Sequence, residues 1–557
     1  MSLYPGFWMQ INIALVPGVT SVENFSTPLF FTPDAQAPAS VTFYGSLSEL
    51  PAGVGATLTG AVTAALAQRN LGPALNQFAV ARRLADVAQI DLYTTPAAPG
   101  TGSYSITLTT ATGTATYTST PAAQAQVDTI VTPAVPGIGT YTYTQAAITI
   151  EVDSDPALTQ AQLRDAFVAQ INGDVTLAAL ITAAPSGDNV TITADVPGTA
   201  FTAVLGGTAA PVCTISTTTP NITKQQDLRD DLVAAIQGGA LAVDVTAAVS
   251  GLNLTITSDN AGVGFTSVAG GTATPAATVA TTTPNRNMGT QIAGLAVTPG
   301  WYAFCPLGAA TYAISDKEIA DSRLAIQSLT RKIGLYQTAS ADSLTSGVLT
   351  DPASVAKAAD DDLSWVQHES TDKATVAGLA GRWLPYPFDT ALASPQRMKI
   401  YGNAPDTSYS EANVTTYCGS GSSEGKGGNL YVDVYGAGGA IAHGRMSSGV
   451  FARIIRGVHW LDNKLEVDLF TLFYKRANMG RPIVNVQSDL EAIGDVVKAA
   501  LQQATRIGLF NSMPEVGVPK SADLDSAEVA AGRLTGFAFN GLRANEFIDM
   551  ILSGSIE

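Results

Sequence analysis

Residues 187–221 and 251–285 are two copies of one segment, and nothing else in the sequence restricts its folding as strongly. At a constant offset of 64 residues, 21 of the 35 positions are identical. The shared skeleton runs from Thr191-Ile192-Thr193 and Thr255-Ile256-Thr257 through Phe201-Thr202 and Phe265-Thr266. It continues to Gly206-Gly207-Thr208 and Gly270-Gly271-Thr272, and both copies close on Thr-Thr-Thr-Pro-Asn. Upstream, Leu163-Arg164-Asp165 matches Leu228-Arg229-Asp230 at offset 65, so one residue has been gained or lost between. Two copies are too few for a solenoid, which needs three or more repeats to bury a continuous core. Two small α+β lobes side by side are expected instead, at about residues 157–221 and 222–285.

Each copy reads the same way. A helix comes first, with Leu163, Phe167 and Ile171 in one copy and Leu228, Leu232 and Ile236 in the other at four-residue spacing. Strands follow, alternating through Val190-Thr191-Ile192-Thr193 and Leu254-Thr255-Ile256-Thr257, and then Gly-rich turns. Further Thr/Tyr-rich strands are expected between Gly102 and Ile150, such as Tyr104 to Leu108.

The charge map sets the same region apart. Between Pro96 and Asn285 there are three basic residues, Arg164, Lys224 and Arg229, against thirteen acidic ones. This Thr-rich third, residues 96–285, reads as a module inserted into a discontinuous core of residues 17–95 and 286–546. It should be dispensable for folding of the core and face outward, because an acidic lobe is readily solvated and like-charged lobes repel one another.

The remaining sequence is mixed α/β. Ser315-Asp316-Lys317-Glu318 has the capping-box pattern of a helix start, with a stop expected at Gly334. Ser488-Asp489-Leu490-Glu491 is a second such pattern. From it Leu490, Ile493, Val497, Ala500, Leu501 and Ala504 form one apolar face that ends near Gly508. Leu461, Leu465, Leu469, Leu472 and Phe473 place another helix after Trp460. Leu430 to Tyr435 and Gly536 to Phe539 read as strands. At 557 residues, about two to four cores are expected, and hydrophobic residues at 46% are ample to fill them.

Several kinds of chemistry are disfavoured. A net charge of −17 without a basic stripe does not suit nucleic-acid binding. Cys213, Cys305 and Cys418 are scattered and odd in number, so no disulfide framework is implied. Met1 to Gln10 lacks a signal-peptide pattern, and no run of about 18 apolar residues suggests a membrane span. Ser423 lies in a G-x-S-x-G sequence, but a strand follows where a nucleophile elbow needs a helix. Lys426 is in no P-loop, since Ser420 and Gly427 occupy positions that require Gly and Ser/Thr. His368, His443 and His459 show no metal-ligand spacing, and Asp360-Asp361-Asp362 reads as a solvated turn. No enzyme, cofactor or metal is expected.

Across most of the chain outside the duplication, the residues resemble the tail sheath proteins of contractile-tailed phages, specifically the DUF3383 family. The matching stretches are Ile11-Asn12-Ile13, Phe78 to Arg83, Gly300-Trp301-Tyr302-Ala303, the helix after Ser315, Gly457 to Leu461, Tyr474-Lys475-Arg476, Ser488 to Phe510, Ala530 to Arg533 and Phe547 to Ile556. The sequence departs from the family at His459, where Asp is more common, and in the duplication. The resemblance implies a sheath-type core in an α+β, mixed α/β multidomain chain. It implies stacked hexameric rings of the chain around a tail tube protein, with baseplate and tail terminator proteins as further partners. It also implies a place in the virion after assembly in the host cytoplasm. Family members link neighbours through terminal arms that add strands to adjacent subunits. Here residues 1–16 and 547–557 would be the arms. Ile11, Ile13 and Leu15 alternate with polar or small residues in one, and Ile548, Met550 and Leu552 alternate in the other. The competing reading is a receptor- or carbohydrate-binding phage protein that uses the repeated lobes.

Overall fold

The computed structural model describes residues 24–155, 158–389, 391–420, 425–433, 438–530, 534, 536–542 and 544. The chain forms two compact units, Met1–Ala85 with Asn287–Glu557, and Asp86–Arg286.

The first unit opens with β1 (Pro28–Thr32), an unbroken Pro-Leu-Phe-Phe-Thr run buried at every residue. Such a run suits a parallel strand covered on both faces. The chain continues through β2 (Thr42–Tyr44) and helix α1 (Ala56–Ala67) to β3 (Phe78–Arg82), which lies parallel to β1 with Leu29 opposite Ala79. Strand β2 caps the edge by pairing antiparallel with β3.

The second unit runs through β4 (Ile90–Thr94), β5 (Tyr104–Thr109), β6 (Thr114–Ser119), β7 (Val127–Val131), β8 (Thr140–Gln145) and β9 (Ile148–Asp153). Next come α2 (Gln160–Gly173), β10 (Ile181–Ser186), β11 (Asn189–Ala194), β12 (Ala203–Gly207) and β13 (Thr214–Thr219). It closes with α3 (Lys224–Gln237), β14 (Val245–Ser250), β15 (Asn253–Ser258), β16 (Thr266–Gly271) and β17 (Thr278–Thr283). Residues 157–221 and 222–285 do not each close a lobe by themselves. The sheets are ordered β10-β11-β7-β13 and β12-β8-β9 in one lobe, and β14-β15-β4-β17 and β16-β5-β6 in the other. The second lobe therefore begins before the first and ends after it: one lobe is nested inside its twin. The physical reason is that the central strands of both sheets, β7 and β8 or β4 and β5, come from upstream of each helix.

Each lobe has its own core. In the inner one, Leu163, Phe167 and Ile171 of α2 pack with Ile130, Tyr141, Tyr143, Val190 and Ile192. In the outer one, Leu228, Leu232 and Ile236 of α3 pack with Tyr93, Tyr104, Ile106, Leu254 and Ile256. The terminal strands β13 and β17 carry matching bulges, at Thr217/Thr219 and Thr281/Thr283. There the Thr218 and Thr282 hydroxyls donate to the Val127 and Ile90 carbonyls, each at 3.0 Å. A bulged edge is a poor template for pairing with another chain.

The first unit resumes with α4 (Met288–Leu295), β18 (Ala303–Pro306), α5 (Asp316–Gln327), β19 (Ile333–Thr338), α6 (Pro352–Ala358) and β20 (Ser364–His368). Then follow α7 (Thr375–Trp383), α8 (Glu411–Tyr417), β21 (Asn429–Asp433) and β22 (Gly439–Ile441). The chain ends in a long helix pair, α9 (Ala452–Asn478) and α10 (Gln487–Arg506), and two short strands, β23 (Glu515–Gly517) and β24 (Ala538–Asn540). The main sheet has eight strands in the order β2-β3-β1-β18-β19-β20-β21-β22, parallel except for the two edges. Strands β19 and β20 are buried along their whole length. One face packs Phe30, Val80, Leu335 and Trp365 against α1 and α7; the other packs Leu29, Phe31, Tyr336 and Val366 against α4 and α5.

Local expectations met several competing forces. The Ser315–Glu318 capping box opens α5, but the helix stops at Gln327, and Arg331 takes a left-handed φ of 54° just before β19. The apolar face from Leu490 to Ala504 is buried as expected, yet Ser488 is no cap. Helix α10 begins at Gln487 after Val486, and Asp489 instead accepts from the Val484 N–H at 3.0 Å. Helix α9 starts eight residues before Trp460. Asp361 is not in a solvated turn: it is buried, paired with Arg323 at 3.4 Å, and accepts from the Ser364 hydroxyl at 2.7 Å.

Candidate assembly site

Strands β23 and β24 make a sheet of two antiparallel strands with Val516 opposite Phe539. Two three-residue strands do not hold together unaided. What holds them is the helix pair beneath, where Leu461 and Leu465 of α9 and Val497, Leu501 and Ala504 of α10 form a core that Val516 and Phe539 cover. Gly494 lets the chain lie flat on α10: a Cβ there would sit 2.5 Å from a Val518 methyl. After β24 the chain is fastened by Asn511 N–H to the Leu542 carbonyl at 2.9 Å and Ala544 N–H to the Leu509 carbonyl at 3.1 Å. The Arg453 guanidinium donates to the carbonyls of Gly508, at 2.8 Å, and Ala544, joining both helices to this segment.

The helix pair is itself anchored. Arg456, buried in α9, donates to the carbonyls of Leu384 at 2.6 Å and Tyr386 at 2.8 Å and lies 4.4 Å from the Phe388 ring centre. Burial pulls its pKa down to about 10. One turn on, His459 meets the Tyr302 hydroxyl at 3.1 Å, and its pKa falls to about 3 through burial and the nearby Arg331 and Lys332 charges. Arg331 bonds Asp462 at 2.5 Å and Glu466 at 2.6 Å on the same helix. A platform fixed this firmly carries a sheet with an unusual property. Among the described residues β23 and β24 pair only with each other.

Ile11, Ile13, Leu15, Ile548, Met550 and Leu552, the expected arm residues, lie outside the described residues, as does Ser423. The sequence reading caught β24 but missed β23, whose signal is only Val516 and Val518 alternating between Pro514 and Pro519. The three histidines are not brought together. His368 bonds the Tyr409 hydroxyl at 2.9 Å, and His443 donates to the Cys418 carbonyl at 2.9 Å. No group of three or more His, Cys, Asp or Glu residues among those described could hold a metal ion. The three thiols are free and buried. At the carboxyl ends of β18 and β19, where open α/β sheets bind ligands, Cys305, Leu307, Tyr312, Gln337 and Val376 leave about 10 Å³, room for one water. In the lobes, Tyr104, Tyr117, Tyr141, Tyr143, Phe167 and Phe265 are turned into the cores, whereas Phe201 is half-buried. No helix among the described residues is long and apolar enough to cross a membrane.

No protein-family model matches the chain, and no curated protein does. Among solved structures it is similar to the sheath tail protein of Listeria innocua, at 10% identity and a TM-score of 0.35, over 93% of this chain and 95% of that one. A sheath tail protein of Desulfitobacterium hafniense gives 10% identity and a TM-score of 0.35 over 90% of each chain. A chain of the anti-feeding prophage baseplate gives 11% identity and a TM-score of 0.36, over 48% of this chain and 72% of that one.

Proposed function

We propose that the chain is the subunit of a contractile phage tail sheath, polymerising as stacked hexameric rings around a tail tube and contracting to drive the tube through the host envelope. The observation that carries this reading is the two-stranded β23–β24 sheet on its anchored helix pair. Such a sheet is an acceptor for strands from other chains, and the sequence carries a donor pattern at each end. One arm contains Ile11, Ile13 and Leu15; the other contains Ile548, Met550 and Leu552. In this reading arms of neighbouring subunits complete the sheet by β-augmentation, through backbone bonds worth about 1 kcal/mol net each. The lattice then stays linked while its subunits slide and rotate. Tube, baseplate and tail terminator proteins are the further partners, and the virion tail is the location.

The test is to trim residues 1–16 or 547–557 and to make Ile13→Pro, which removes a strand N–H and fixes φ. The expected result is a monomer that melts near wild type yet forms no rings or tubes under negative-stain microscopy. Loss of monomer stability by several kcal/mol would place the strand inside its own subunit. Unimpaired polymerisation of all three variants would end the linked-lattice reading.

A further inference from the structure

The nested lobes are copies along their whole length, not only over the repeated 187–221 segment. Upstream, Gln89 and Gln126, Asp91 and Asp128, Gly100 and Gly137, and Tyr104 and Tyr141 occupy the same places in the two lobes. Their bonds correspond. Gln89 donates to the Phe265 carbonyl at 2.8 Å and accepts from its N–H at 3.1 Å; Gln126 does the same to Phe201 at 2.9 and 3.1 Å. The Tyr104 hydroxyl bonds the Pro275 carbonyl at 3.0 Å, and the Tyr141 hydroxyl bonds that of Pro211 at 3.2 Å. Thr159 and Thr223 cap α2 and α3 with the same Thr–Gln capping box.

The lobes differ in one connection. From β9 to the cap of α2 the inner lobe needs only residues 154–158, whereas the outer lobe passes from β6 to the cap of α3 through residues 120–222, the whole inner lobe. The inserted chain leaves and returns at one point. Gln124 N–H donates to the Ile222 carbonyl at 2.9 Å, and Ile222 N–H donates to that of Gln124 at 3.2 Å. Adjacent termini are what allow one domain to sit in a loop of another. The two hydrophobic cores share no residue.

We infer that the β6–α3 connection of the outer lobe is a domain-accepting site, and that residues 120–222 are a self-contained passenger in it. The outer lobe already holds every strand, cap and buried bond that its twin uses to fold. The passenger supplies none of the outer lobe's strands or core residues, and the accepting lobe supplies none to the passenger; a bond between them at the junction is that from the Ala122 N–H to the Asp227 carboxylate of α3, at 2.8 Å.

In the full chain, residues 120–222 would be replaced by Asp-Ser-Asp-Pro-Ala-Leu, the sequence of residues 153–158, because Ser119 and Val152 hold the same place opposite Tyr104 and Tyr141. The excised protein should stay soluble, with the backbone amides of Leu92, Ile256 and Ala280 exchanging hydrogen as slowly as before. Loss of that protection, or a chain that no longer folds, overturns the accepting-site half of the inference. A second variant of the full chain carries cleavage sequences for a site-specific protease between Pro121 and Ala122 and between Ile222 and Thr223. The released fragment should keep its circular dichroism, melt in one cooperative step and retain slow exchange at Val190 and Ile192. A fragment that unfolds on release overturns the passenger half.

Discussion

His459 is a neutral imidazole held where a proton is unwelcome. Its folded pKa, about 3, lies well below the ordinary value of 6.5. Below pH 6.5 the unfolded chain takes up a proton that the folded chain refuses, so stability is full at neutral pH and lost progressively toward pH 3. At pH 4.5 this one group should cost about 2 to 3 kcal/mol, at roughly 1.4 kcal/mol per pH unit. His459→Asn, which can still bond Tyr302, should flatten the dependence of the urea midpoint on pH between 6.5 and 4.5. Part of the slope will remain, because burial also lowers the pKa of His368. Asp361 is a second sensitive position. Replacing it with Asn leaves Arg323 charged and buried without its counter-ion, a change that typically costs about 3–5 kcal/mol, readable in a denaturant titration. Neither effect could be read from sequence. A histidine before a tryptophan and an aspartate among aspartates say nothing of the depth at which they sit.

Helices and strands were legible where one face met one core. The four-residue spacing in α2 and α3 and the stripe of α10 map directly onto buried residues. Legibility failed where tertiary contacts moved an element's end. Helix α9 extends back to Ala452 because Arg453, Ile454 and Arg456 are buried by other parts of the first unit, information that no local pattern holds. The matching caps offer a clean measurement. Thr159→Ala and Thr223→Ala should each cost about 1 kcal/mol, and the double variant should show no coupling, since the two helices serve separate cores. Packing between elements is close where α7 crosses α1. A Cβ on Gly381 would lie 2.1 Å from the Ala65 carbonyl oxygen, so Gly381→Ala must push the helices apart. A cost of about 1–3 kcal/mol should appear as a lower melting temperature of the first unit.

At the scale of the whole molecule, the acidic Thr-rich region coincides with most of a unit that has its own internal contacts, Asp86–Arg286. Deleting it and joining Ala85 to Asn287 should leave a soluble chain whose main-sheet strands β19 and β20 keep their hydrogen-exchange protection; an unfolded product would make the module part of the core. The nested order of the lobes was present in the sequence but concealed by arithmetic. A copy placed inside its twin splits the outer one, so matching residues such as Tyr104 and Tyr141 stand 37 apart before the insertion, and those after it stand 64 or 65 apart. A search at one offset finds only half of the duplication. The same construction has a mechanical side. The outer lobe has a two-way backbone pair of its own, Val87 with Arg286, at the place equivalent to Gln124 with Ile222. Tension drawn along the chain would be borne at these two points, where incoming and outgoing strands lie side by side, and each lobe beyond its clasp would hang slack. The clasp must slip before any lobe strand feels load, so in a pulling experiment the lobes should lengthen the chain only after their clasps have parted.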